Sequence, residues 1–167
     1  YVDVPTHVDG KIITGVGAGL ALNFAFKIAE QFFTKEKIEE VRSMLAEKKA
    51  DSTVIGALED VCYLFNVRGR DIRCNPVVTA YALVDKTRAV IFISEKQLTD
   101  DVKSYFASQG ITVMGYEDIF AEAAKLTGKV YIDPARTNVY LCNQIKATTE
   151  KGLNLTSTLK AIKNEVE

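Results

Sequence analysis

Hydrophobic and polar positions along the chain predict short helices and strands in alternation. From residue 34, the segment TKEKIEEVRSMLAEKK places Ile38, Val41, Met44 and Leu45 at helical spacing, and Thr34 is positioned to cap the helix. Further helices are predicted over 57–66, 99–110, 117–128, 137–146 and 157–167. Strands are predicted over 52–56, 77–84, 89–94, 111–116, 129–133 and 153–156.

The connection between the strands 77–84 and 89–94 is only DKTR. Because a parallel crossover needs about a dozen residues or more, these two strands are predicted to form an antiparallel hairpin. The sequence therefore predicts an α/β fold, with a mixed β-sheet that contains one antiparallel hairpin and is flanked by helices.

Composition and charge exclude several function classes. Of 167 residues, 47% are apolar, which is enough for a hydrophobic core, and the net charge is −1. The charge gives no basic footprint for nucleic acid, and charged residues interrupt every apolar stretch before it reaches membrane-spanning length. We expect neither a signal peptide nor a nucleic-acid or membrane partner, and we expect a cytoplasmic location.

Few side chains suit catalysis. The single histidine, His7, lies in a polar start and is expected at the surface. Cys62, Cys74 and Cys142 lack close spacing and are expected to be free thiols. Cys62 falls in the middle of a predicted helix, where a packing role is favoured over a nucleophilic one.

The glycine-rich stretch GKIITGVGAGLA, residues 10–21, has the outline of a dinucleotide-binding turn. Its glycines, Gly15, Gly17 and Gly19, do not match the spacing G-x-G-x-x-G, because Leu20 stands at the third position. No acidic strand end follows about 20 residues later. We expect a tight strand-to-helix turn there, with nucleotide binding as a weak alternative.

Residues 34–167 carry a more specific signal. The runs LEDV, YLFNVRG, CNPVV and YIDPARTN, and the closing KAIKNEVE, resemble the second N-terminal domain of three-domain Xaa-Pro aminopeptidases. The resemblance implies a ribonuclease H-like fold of the creatinase/prolidase N-terminal type. One departure is TSTLK, where the family often has Ser-Pro before the last helix.

The resemblance also implies a division of labour. Enzymes of this family cleave the first residue from peptides that have proline second, with two divalent metals, typically manganese, in a C-terminal catalytic domain. No catalytic residue, metal ligand or cofactor of that domain has a counterpart in this chain. The implied role is that of a non-catalytic domain that shapes substrate access. Its expected partners are the catalytic domain and, in a possible homodimer, a second subunit.

Residues 1–45 carry a second resemblance. Asp9, Gly10, the IIT run and Phe24-Ala25 resemble the C-terminal end of PfpI/ThiJ-like proteins. On this basis the chain is divided into residues 1–33, a strand–turn–helix attachment, and residues 34–167, and it is interpreted as a possible fusion. A PfpI/ThiJ-like small enzyme remains the alternative function, although its reactive cysteine has no counterpart here.

Candidate site residues crowd the run FNVRGRDIRCNP, residues 65–76. They are Arg68, Arg70, Asp71 and Asn75, with Arg73 between them. One interpretation is a self-satisfied loop, in which Asp71 pairs with an arginine and Asn75 caps backbone groups. The other is an interface loop, in which Arg68 anchors another domain or subunit and Asp71 holds Arg68 in position. The residues alone leave both open.

Overall fold

The computed structural model describes residues 6–9, 12–15, 24 and 36–161, and the chain divides into two compact units, residues 1–36 and 37–167. In the first unit, strands β1 (Thr6–Asp9) and β2 (Ile12–Gly15) form an antiparallel hairpin. The predicted IIT strand is confirmed, and His7 is exposed, but in a strand rather than an irregular start. The glycine turn, its following helix and the Thr34 cap lie outside the described residues.

The second unit alternates strands with helices. Its elements are α1 (Glu36–Glu47), β3 (Ser52–Ile55), α2 (Leu58–Phe65), β4 (Ala80–Asp85), β5 (Ala89–Ile93), α3 (Asp100–Ser108), β6 (Thr112–Met114), α4 (Asp118–Lys125), β7 (Lys129–Ile132), α5 (Val139–Gln144), β8 (Thr148–Lys151) and α6 (Leu155–Ala161). A short 3-10 helix, Glu95–Gln97, follows β5.

Strands β3 to β8 form one six-stranded sheet in the order β6-β5-β4-β3-β7-β8. Only β4 runs against the others, since it pairs antiparallel with β3 and β5 while the remaining pairs are parallel. The predicted mixed sheet and the β4–β5 hairpin are confirmed. The carboxyl ends of five strands consequently meet at one edge of the sheet, which we call the carboxyl edge.

Helices cover both faces of this sheet. One core cluster joins α1, α2, α3 and α6 to one face, with Val41, Phe65 and Phe106 fully buried. The second joins α4 and α5 to the other face around Phe92 and Ile119. Alternate residues of a strand serve opposite faces, so each central strand contributes to both clusters.

Most of the predicted helix and strand boundaries hold with small shifts. The Thr99 hydroxyl accepts the Val102 N–H at 3.4 Å at the start of α3, and Gly110 follows that helix with φ +71°. The strand predicted from residue 77 begins at Ala80 instead. Gly128 does not end α4, which stops at Lys125, but turns the chain into β7 with φ +73°.

One predicted strand is wrong. Residues 153–156 do not form a strand, because Asn154 caps α6: its Oδ1 accepts the Thr156 N–H at 3.0 Å. The real strand in this region is β8, Thr148–Lys151, which the hydrophobic pattern did not reveal. Its sequence TTEK has no apolar side because it is a partly exposed edge strand.

Candidate functional site

The carboxyl edge includes the switch between β3 and β7, where open α/β sheets usually have a ligand-binding crevice. The strand order turns at β3 and β7, because the chain builds outward from β3 through β6 and then returns to add β7 and β8 on the other side. Gly56, after β3, lies close to the segment after β7, since a Cβ atom on Gly56 would come within 3.1 Å of the Arg136 carbonyl oxygen.

The chain's own polar side chains fill this crevice. Asp60, fully buried in the first turn of α2, accepts the Asn154 side-chain N–H at 2.9 Å and contacts the Arg136 guanidinium at 3.3 Å. The Lys160 ammonium of α6 faces its other oxygen. Asp133 accepts the Asn154 backbone N–H at 2.9 Å. The network ties α2 and α6 to the end of β7, so these groups have structural partners where a ligand would otherwise bind.

The segment between α2 and β4, residues 66–79, contains every candidate site residue, and we call it the arginine loop. It leaves α2 through Asn66 in the left-handed conformation, with φ 49°. Its two arms lie close together at Gly69, where a Cβ atom would come within 2.4 Å of Val78 Cγ1 and 2.8 Å of the Val77 carbonyl oxygen. Glycine is therefore required for this close approach.

Among the described residues Asp71 pairs with no arginine, which contradicts that part of the interpretation as a self-contained loop, and no contact joins Asp71 to Arg68 there. Its carboxylate accepts the Thr79 backbone N–H at 2.6 Å and the Gln97 side-chain N–H. These contacts attach the loop to the start of β4 and to the 3-10 helix after β5. Asp71 thus fixes the loop at the carboxyl edge.

The arginine side chains lie on the exposed surface of the loop. Arg68 Nη1 donates to two backbone carbonyl oxygens, those of Cys62 at 3.1 Å and Val67 at 2.8 Å. Within the part of the chain that the structure describes, the exposed side chains of Arg70 and Arg73 have no hydrogen-bond or ion-pair partner. Asn75 contributes through its backbone, because its N–H donates to the Ile72 carbonyl at 3.2 Å.

Large apolar side chains are also exposed around the carboxyl edge. In the described part of the second unit these are Ile72, Val139, Tyr140 and Leu153, exposed by 44%, 75%, 61% and 77%. Ile72 lies on the arginine loop, and the other three follow the carboxyl ends of β7 and β8. Such a combination of apolar and arginine side chains is typical of a protein interface.

A row of aromatic rings continues this surface. Tyr140 packs edge-to-face on Phe120 at 4.9 Å, and Tyr81 lies 6.2 Å from Phe120 and 5.1 Å from Tyr116, measured between ring centroids. Burial, together with the neighbouring Tyr81 hydroxyl, raises the pKa of Tyr116 to about 12. The Tyr116 ring is therefore neutral at physiological pH, and the four rings together offer rigid apolar contact area.

The opposite edge of the sheet has a different character. Lys86 contacts Asp51 at 2.5 Å, and Arg88 bridges Asp85 and Glu122 at 2.8 and 3.5 Å. Lys86 and Arg88 are thus paired within the domain, and the large exposed apolar residues of the described second unit all lie elsewhere. The carboxyl edge is thus the surface suited to a partner.

The described residues offer no obvious reactive centre. Burial raises the pKa of the Cys62 thiol, which confirms the expected packing environment. Among the residues described, no group of three or more histidine, cysteine, aspartate or glutamate side chains could hold a metal ion. None of the described helices is long and apolar enough to cross a membrane.

Comparison with known proteins decides the family. The model of the creatinase/prolidase N-terminal domain matches residues 26–167. The chain belongs to the creatinase/prolidase N-terminal domain family. It is 35% identical over 152 residues to Xaa-Pro aminopeptidase 1 of Dictyostelium discoideum, covering 87% of this chain and 24% of that protein. It is 41% identical over 100 residues to the probable Xaa-Pro aminopeptidase P of Sordaria macrospora, covering 56% and 16%.

Solved structures agree with this assignment. X-prolyl aminopeptidase from Caenorhabditis elegans, described as a cytosolic enzyme with a di-nuclear active site, superposes with a TM-score of 0.69 at 29% identity, covering 80% of this chain and 23% of that one. The N-terminal domain of the cytoplasmic peptidase PepQ from Mycobacterium tuberculosis shares the fold at 17% identity, with a TM-score of 0.55, and covers 74% and 98%. The chain thus spans about a quarter of the full-length relatives named first for sequence and for structure.

The two family resemblances have different outcomes. The creatinase/prolidase-type fold and the non-catalytic N-terminal type of domain are confirmed. The PfpI/ThiJ resemblance and the fusion receive no support, and the family match already includes residues 26–33, which had been assigned to the attachment. The boundary at residue 33 stays a prediction.

The site itself was only partly visible in the sequence. The arginine run 65–76 stood out in the sequence. Thr79, Gln97 and the exposed Val139, Tyr140 and Leu153 lie outside that run, and only the fold brings them to the carboxyl edge. The signal for the apolar members was their position directly after predicted strands, the expected location of a functional edge.

Proposed function

We propose that this chain is the access-shaping domain of a metallo-aminopeptidase that removes the first residue from Xaa-Pro peptides. In this proposal the carboxyl edge, with Arg68, Arg70, Asp71 and Asn75, docks on the catalytic domain of the same protein. The chemistry takes place in that domain, on two divalent metals, typically manganese. A homodimer and a cytoplasmic location are part of the same proposal.

The observation that carries the proposal is the asymmetry between the two edges of the sheet. At the opposite edge Lys86 and Arg88 have carboxylate partners. The carboxyl edge instead exposes Ile72, Tyr140 and Leu153 and carries the three arginines of the loop. A surface of this kind leaves apolar area in contact with water, and burying that area against a partner would be favourable. About three quarters of the length of the relatives lies outside the region matched here. We propose that part of this remaining sequence, the catalytic domain, covers the carboxyl edge.

Arginine suits this docking role. Its planar guanidinium can donate two parallel hydrogen bonds to a carboxylate or to backbone carbonyl oxygens. Arg68 already has its guanidinium directed by two carbonyl contacts of 2.8 and 3.1 Å, so little side-chain entropy remains to be lost on docking. We therefore propose Arg68 as the main anchor.

The test is Arg68→Ala in the full-length protein. Removing an interface arginine is expected to weaken domain docking enough to lower kcat/KM for an Xaa-Pro peptide by about tenfold. Subunit assembly and thermal unfolding are followed in the same preparations. Arg68→Lys keeps the charge but loses the fork, so it should recover only part of the activity.

Lys86→Ala is the matched control, because Lys86 is an exposed cation at the opposite edge and is paired with Asp51. It should leave turnover, assembly and stability unchanged. If Arg68→Ala also leaves all three at the wild-type level, the docking proposal is wrong and the loop serves only its own domain.

A further inference from the structure

Cys62, an uncharged residue of α2, holds the arginine loop to the domain in addition to Asp71. Three donors converge on the Cys62 carbonyl oxygen: the Asn66 N–H, the Val67 N–H at 3.1 Å, and Arg68 Nη1 at 3.1 Å. All three belong to the outgoing arm of the loop. The two backbone contacts satisfy the carbonyl group at the end of α2, and the third contact positions the Arg68 guanidinium.

The returning arm is held by the side chain of the same residue. The Val78 N–H donates to Cys62 Sγ at 3.4 Å, and both residues are buried, with exposures of 6% and 2%. A buried backbone N–H must find an acceptor, and here the thiol sulfur is the acceptor given by the structure. Gly69 allows the two arms to meet at this point.

We infer that Cys62 is the positioning residue of the arginine loop, acting through its sulfur on the returning arm and through its carbonyl on Arg68. The inference rests on the proposed docking role of the loop and deepens it. The loop is then pre-organised at two anchors, Cys62 on the inside and Asp71 at the carboxyl edge. A partner meets arginines that are already in place, which reduces the entropy lost on binding.

Sulfur suits this position. The raised pKa keeps the thiol neutral, so no charge is buried, and the side chain still fills apolar space between α2 and Val78. Valine has a similar volume but offers no acceptor, whereas serine keeps an acceptor in a smaller side chain. These two substitutions separate the hydrogen bond from the packing.

The experiment measures amide hydrogen exchange by NMR in the 167-residue chain and its variants. In Cys62→Val, the exchange of the Val78 amide, taken relative to that of Ile91 in the central strand β5, is expected to accelerate about tenfold. The ratio to Ile91 removes any global loss of stability. Cys62→Ser should keep the ratio within about threefold of wild type, because it retains an acceptor.

Cys142→Val is the matched control, since Cys142 is a half-buried cysteine on α5, on the other face of the sheet. It should leave the ratio unchanged. The inference is overturned if Cys62→Val leaves the Val78 ratio at the wild-type value, or if Cys62→Ser accelerates exchange as much as valine does.

A second readout separates this inference from the docking proposal. In the full-length protein, Cys62→Val should lower kcat/KM in the same direction as Arg68→Ala, Cys62→Ser should restore it, and the two losses should not add in the double variant. If Arg68→Ala has no effect there, docking fails while the exchange result in the isolated chain still decides the role of Cys62.

Discussion

Asp60 shows most clearly how single residues set this domain's character. Its carboxylate is fully buried, yet it faces Lys160, Arg136 and the Asn154 amide at the place where related folds could admit a ligand. Burying a carboxylate is costly unless charges and hydrogen bonds compensate. Here Lys160, Arg136 and Asn154 compensate the cost, so these polar groups stabilise the fold.

Asp60→Ala is therefore expected to lower the free energy of unfolding by about 3 kcal/mol, because it removes the acceptor of Lys160 and of the buried Asn154 amide and leaves Arg136 with Glu59 alone among these carboxylates. Urea unfolding of the 167-residue chain measures this loss. The control, Lys86→Ala, breaks an exposed ion pair and should cost less than about 1 kcal/mol. A loss for Asp60→Ala as small as the control's would show that the network contributes little.

Sequence reasoning could not find this network. Asp60, Asp133 and Asn154 are far apart along the chain, and each is an ordinary polar residue within a predicted helix or strand. The prediction for Asn154 was wrong, because the alternating pattern of LNLT is typical of a strand, whereas the Asn154 side chain caps a helix. Only the parallel pairing of β3 with β7 and of β7 with β8 gathers the three residues at one edge.

Among the elements, the β4–β5 hairpin was the most predictable, because its short connection permits only an antiparallel pair. Asp85 fixes this turn: its carboxylate accepts backbone N–H groups from Thr87 and Arg88 at 2.8 and 2.6 Å and the Arg88 side chain at 2.8 Å. Burial by itself would raise the pKa of Asp85, but these hydrogen bonds outweigh it and hold the pKa below its usual value.

The sign of the pH dependence follows. A depressed folded-state pKa gives a stabilisation that is fully present above the unfolded-state value of about 3.9 and is lost as the pH falls through the lower folded-state value. Asp85→Asn should cost about 1–2 kcal/mol at pH 7, and its difference from wild type should shrink as the pH falls from 5 to 2. Urea unfolding across this range is the measurement.

Glu47→Gln, at the exposed end of α1, is the control and should leave the pH profile of wild type unchanged. A difference between wild type and Asp85→Asn that stays constant down to pH 2 would mean that the Asp85 charge does not stabilise the turn.

The elements that escaped prediction have one cause. β1 and β8 have four residues each, with the sequences THVD and TTEK, so neither has an apolar face that could stand out as an alternating pattern. The central strands β3 and β5 were found readily, since all of their residues are buried. Burial, which creates the pattern, therefore decides what can be predicted.

At the scale of the whole molecule, the domain separates stability from interaction. Buried Asp60 and, at the opposite edge of the sheet, Arg88 have charged partners within the domain. The carboxyl edge presents arginine, aromatic and aliphatic side chains outward. The family resemblance indicated the N-terminal type of domain and the arginine run. The fold adds the exposed apolar residues beside it and the anchors at Cys62 and Asp71.

The most direct test of this account is the peptidase activity of the purified 167-residue chain on a fluorogenic Xaa-Pro peptide, with and without added manganese. A non-catalytic domain should give no turnover above buffer in either condition. The full-length protein should be active under the same conditions. Turnover by the chain alone that persists after further purification from trace peptidases would contradict the non-catalytic role at the centre of the account.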